Sequence, residues 1–109
     1  MTRWIEIGPL DSIPLKGART VRTPLGPIAV FRTGTDEIFA LDDRCPHKDG
    51  PLSQGIVHGR RVTCPLHNFV IELADGGAVA PDEGCTASHP VEVRGGRIWL
   101  GFAEAAAAQ

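Results

Sequence analysis

Short apolar stretches recur along the chain every eight to twelve residues, divided by clusters of Gly, Pro and Asp, and helical periodicity is absent until the last alanine-rich residues. That pattern predicts strands at Trp4 to Ile7, Arg19 to Thr23, Pro27 to Thr33, Glu37 to Leu41, Arg61 to Thr63, Phe69 to Leu73, His89 to Val93 and Arg97 to Phe102. Between them lie Pro24-Leu25-Gly26-Pro27, Gly34-Thr35-Asp36, Asp75-Gly76-Gly77 and Gly95-Gly96, residue types that preset φ or accept a positive one. The clearest hairpin is Val91 to Leu100, two alternating strands around a Gly-Gly turn. The expected fold is all-β, one domain over residues 1–109, with 104–109 a fraying tail.

From Asp43 to Glu72 the alternation weakens and Cys, His, Pro and Gly gather, which predicts a two-loop subdomain at about residues 43–72 inserted in the β scaffold. Its loops hold Cys45-Pro46-His47 and Cys64-Pro65-Leu66-His67, with sixteen residues between His47 and Cys64. Each segment offers one sulfur and one imidazole. A [2Fe–2S] centre in which two thiolates bind one iron and two histidines the other needs that donor set. Two ferric ions, two sulfides and two thiolates sum to zero, so this oxidised core is neutral and its reduced form carries a single negative charge. The potential accordingly rises from about −400 mV for four-thiolate plant-type centres to roughly −150 to +300 mV.

The expected ligands are therefore Cys45 and Cys64 for one iron, and His47 and His67 for the other. Structural zinc would also accept two Cys and two His. Zinc sites, however, group ligands by type as Cys-x2-4-Cys and His-x3-5-His, whereas here the types interleave.

Composition narrows the picture without changing it. The chain has 109 residues, a net charge of −2 and a pI near 6.0, with acidic and basic residues interspersed. No basic field suits nucleic acid or an anionic membrane. No apolar run approaches a membrane span and the N-terminus lacks a signal peptide, so a cytoplasmic location is expected. Of three cysteines, two stand at ligand spacing with histidines, which disfavours a disulfide framework.

Other candidates have plainer readings. Cys85 reads as a small buried hydrophobe, His58 as a surface residue in a turn between the loops, and His89 as structural at a strand start. Arg44, Lys48, Arg60 and Arg61 flank the loops and read first as ordinary exposed basic residues beside turns, with docking of an acidic partner the second reading. Phe69 and Leu66 suit shielding of the centre from water and plain packing equally well, while Trp4 and Trp99 alternate with apolar strand residues and read as core.

With those residues in view, Asp42 to Leu73 resembles the Rieske ferredoxin family. The resemblance implies a three-sheet antiparallel β sandwich with the cluster at the tip of the inserted loops. High-potential respiratory members add a disulfide between the loops, where this chain has Gly50 and Leu66, and hydroxyl donors to sulfur, where it has Phe69 and Ile71. Fewer hydrogen bonds to sulfur imply a potential near the low end of the range.

Across nearly the whole chain, Cys45 to Ser53, Gly55-Ile56-Val57, Val62 to Asn68 and Pro81 to Cys85 resemble the small subunits of assimilatory NAD(P)H-dependent nitrite reductase. That resemblance implies a large partner subunit bearing flavin and sirohaem, on which nitrite becomes ammonium. No Gly-rich nucleotide loop follows a strand, so catalysis would belong to the partner. The rival is a ferredoxin carrying electrons from a flavin reductase to an aromatic-ring-hydroxylating dioxygenase.

Overall fold

The computed structural model describes residues 2–23, 26–44, 51–64, 69–79, 84 and 86–103. Among these residues ten strands run in the order β1 (Thr2–Pro9), β2 (Gly17–Thr23), β3 (Gly26–Arg32), β4 (Ile38–Asp42), β5 (Ile56–His58), β6 (Arg61–Thr63), β7 (Val70–Glu72), β8 (Ser88–His89), β9 (Val91–Arg94) and β10 (Arg97–Ala103). Two short 3-10 turns, Leu10–Ser12 and Leu52–Gln54, are the helical elements among the described residues. The strands form three antiparallel sheets, β1-β10-β9, β2-β3-β4-β8 and β5-β6-β7.

The four-stranded sheet is the middle layer, and β3 shows why. Ile28, Ala29, Val30 and Phe31 are all fully buried, so this strand has an apolar run where a strand with one wet face would alternate. Ile28 and Val30 pack with Ile7, Ile98 and Leu100 of the first sheet, whereas Ala29 and Phe31 pack with Val57, Val62 and Ile71 of the third. Successive side chains of one strand thus serve two different cores.

The Gly95-Gly96 turn takes φ of 58° and 77°, the geometry expected of a type I′ hairpin, and sets Arg97 opposite Arg94. The long connection after β1 is closed by Arg32, whose guanidinium donates to the Ile13 carbonyl at 2.7 Å and to Asp36 Oδ1 at 2.8 Å.

Three sequence expectations are corrected. Ile56–His58 is a strand, β5, paired to β6, so His58 ends a strand instead of occupying a turn. The single strand expected at His89 to Val93 is broken at Pro90: Ser88–His89 pairs with β4, and Val91–Arg94 with β10. Proline lacks the N–H that a continuous ladder needs, and the chain changes sheets there.

Trp4 and Trp99, read as core, are only partly buried; the Arg94 guanidinium lies 5.4 and 5.3 Å from their ring centroids. Trp99 faces Glu6 and Glu92, on the side opposite the buried Ile98 and Leu100. Cation–π contact is a partner that strand alternation does not encode.

Candidate cluster site

The third sheet is built from three-residue strands, too small to stand alone, and gains its stability from the layer beneath. Cys64 follows β6 directly and is fully buried. Its backbone N–H donates to the Phe69 carbonyl at 2.6 Å, which closes the segment 65–68 at its base. The apolar cluster around it includes Leu52, Val57, Val62, Phe69 and Ile71.

Leu52 begins the short 3-10 turn after the first loop, so residues at the foot of both loops share one core. Cys45, His47 and His67, with Lys48, Gly50, Leu66 and Cys85, lie outside the described residues. Of the four expected ligands, Cys64 is therefore the one whose surroundings the structure gives.

Two features bring the loop bases together. Asp43, just after β4, accepts the Ser53 backbone N–H at 2.8 Å and the Ser53 hydroxyl at 2.8 Å, so the segment between them starts and ends at one point. Gly55 then lies against β6: a Cβ at this position would stand 2.3 Å from the Thr63 carbonyl oxygen. Only a residue without a side chain lets the exit of the first loop pass that close to the strand leading into Cys64. The glycine in Gly55-Ile56-Val57 is visible in the sequence, but a contact with residue 63 carries no local signal.

The remaining candidates fall into place around this site. His58 is exposed, and its Nε2 lies 2.6 Å from Thr63 Oγ1. His89 is structural as expected: its Nε2 lies 2.7 Å from Asp42 Oδ1, and its side chain is 10% exposed. Register places both on the face of the middle sheet turned toward the first sheet. Arg60 pairs with Glu37 at 3.4 Å and lies over Phe39, and Arg61 pairs with Glu72 at 2.5 Å. Their charges are balanced locally, which weakens the expectation that they attract a partner. A cleft of about 400 Å³ among Ile38, Phe39, Leu73, His89, Pro90 and Val91 is lined by none of the expected ligands.

A buried sulfur in an apolar cluster at the foot of two loops suits a cofactor whose oxidised core is neutral, because a neutral group loses little on leaving water. A model of the Rieske [2Fe–2S] domain matches residues 3–90. The chain belongs to the Rieske [2Fe–2S] family. Its cofactor is a Rieske-type centre, and its chemistry is electron transfer.

The anthranilate 1,2-dioxygenase ferredoxin subunit of Burkholderia cepacia is 32% identical over 99 residues, 90% of this Rieske chain and 91% of that protein. The nitrite reductase [NAD(P)H] large subunit of Klebsiella oxytoca is 33% identical over 103 residues, 90% of this chain but 11% of its own length. A Mycobacterium tuberculosis protein assigned as an NADH-dependent nitrite reductase small subunit superposes with a TM-score of 0.86. It is 22% identical, with 94% of this chain and 97% of that one covered, and supports the fold.

Proposed function

We propose that the chain is the electron-transfer small subunit of a cytoplasmic NAD(P)H-dependent nitrite reductase acting in nitrate assimilation. In this reading Cys45 and Cys64 bind one iron, His47 and His67 bind the other, and nitrite is reduced on a large flavin- and sirohaem-bearing partner. The observation that carries it is the 33% identity with a nitrite reductase chain across 90% of this one. A match that covers 90% of this chain takes in both ligand segments. In that relative the matching stretch is part of the reductase itself; the same unit as a separate chain is what a dedicated electron-transfer subunit would be.

When bound, the centre accepts and releases one electron at a time. The chain's own residues hold it and set its surroundings. Cys64 supplies a ligand from a dry base, and Phe69, 8% exposed, with the fully buried Ile71, packs beside it where hydroxyl donors would stabilise the reduced form. The midpoint potential is therefore expected toward the lower end of the Rieske range, near −150 mV, as a redox titration would show.

A second reading, the ferredoxin of a ring-hydroxylating dioxygenase, is supported by the B. cepacia relative, which matches 90% of this chain over 91% of its own length at similar identity. Co-expression with each class of partner separates them. The first reading expects a stable complex with the sirohaem subunit and NADH-dependent nitrite consumption that falls when the chain is omitted. Support of aromatic hydroxylation by an oxygenase, with nitrite reduction unchanged, would replace it by the second.

A further inference from the structure

Asp43 gathers more contacts than loop closure requires. Its Oδ1 accepts the Ser53 N–H, and its Oδ2 accepts both the Ser53 hydroxyl and the Thr20 hydroxyl, each at 2.8 Å. The two hydroxyl oxygens are 3.0 Å apart. The Asp43 N–H in turn donates to the Pro27 carbonyl at 3.0 Å. Thr20 lies on β2 directly opposite Ala29, on the face of the middle sheet that packs toward the third.

Both ends of the segment carrying Cys45 and His47 are thus fixed to two strands of the scaffold through one residue, by its carboxylate to β2 and by its backbone N–H to β3. A carboxylate suits this position because both of its oxygens accept and carry charge, whereas an amide of the same shape is neutral and could meet the two hydroxyls only by reversing them from donors to acceptors. Bonds to a carboxylate are also shorter and stronger than those between neutral groups.

We infer that Asp43 is a positioning residue for the first ligand pair, with Ser53 and Thr20 as its partners. The inference rests on the proposed ligand set. Asp43 need not touch the centre; it fixes the base from which Cys45 and His47 extend. Its loss therefore alters how tightly iron is held and how the electronic environment of the two irons is set, beyond any change in folding stability.

The test uses the iron-loaded full chain as wild type, Asp43→Asn, Ser53→Ala, Thr20→Val and Thr20→Ser. Iron release to a chelator, the reduced-state paramagnetic resonance spectrum, the midpoint potential and the urea unfolding midpoint are measured on each. Asp43→Asn and Ser53→Ala are expected to release iron on the order of tenfold faster, as loss of a charge-assisted bond implies. Their g values and potential should shift as well. Thr20→Ser should match wild type, and Thr20→Val should fall between.

A lower unfolding midpoint with wild-type spectrum, potential and release rate would make Asp43 a purely structural tie and overturn the inference. If Asp43→Asn does not fold, Ser53→Ala decides by the same readings. Failure of the parent reading looks different: wild type itself would lack two irons per chain, or Cys45→Ser would keep the signal.

Discussion

At the scale of single residues, the chemistry was legible and the contacts were not. Cys64 could be named as a candidate ligand from the sequence because the spacing that marks it is local: two residues, Pro65 and Leu66, separate it from His67. Its burial beside Leu52 and Val57 could not, because those neighbours come from other elements. Cys64→Ser is expected to leave a chain with well under two irons and little visible colour, measured by iron assay and absorption; full retention would remove Cys64 from the ligand set. Gly55→Ala tests the close passage instead. No positive φ is involved there, so its cost would come from the added methyl meeting the Thr63 carbonyl and Val62. Overpacking of this kind costs about 1–3 kcal/mol, which denaturant unfolding of the iron-loaded protein would read.

At the scale of elements, what could be read depended on whether a strand's shape is written locally. The β9–β10 hairpin was legible because its turn needs two residues with positive φ, and Gly95-Gly96 supplies them. β5 was missed because three residues between glycines carry no alternation long enough to register; it exists because Val57 can bury against Phe31 and Ile71. The fusion of β8 with β9 has the opposite origin: the polar–apolar pattern continues through Pro90, and only the missing N–H divides it.

The hairpin offers a clean test, since nothing lies within 4 Å of where a Cβ on Gly95 would stand. Any cost of substitution is then conformational. Gly95→Asn should be nearly neutral, because Asn tolerates the left-handed region, whereas Gly95→Val should cost about 1–2 kcal/mol. Equal effects of the two in urea unfolding would show that the turn relaxes to another form.

At the scale of the molecule, three layers divide the work: the outer two sheets do not share a core, and the middle sheet serves both. A thin third layer of three-residue strands should open more readily than the first, where β1 and β10 pair over seven residues of register. If the centre is lost through that local opening, a weakening of the core between the middle and third sheets speeds iron release and the same weakening of the core between the middle and first sheets does not. Ile71 and Ile98 allow a matched comparison, since both are fully buried and each belongs to a different core. Ile71→Val and Ile98→Val should each lower global stability by about 0.5–1.5 kcal/mol. Chelator-driven iron release should nevertheless accelerate several-fold for Ile71→Val alone. Equal acceleration would mean that the layers open together and that the centre is released only by global unfolding. Acceleration by Ile71→Val alone would mean that the fold confines its weakest point to the layer from which the ligand loops extend.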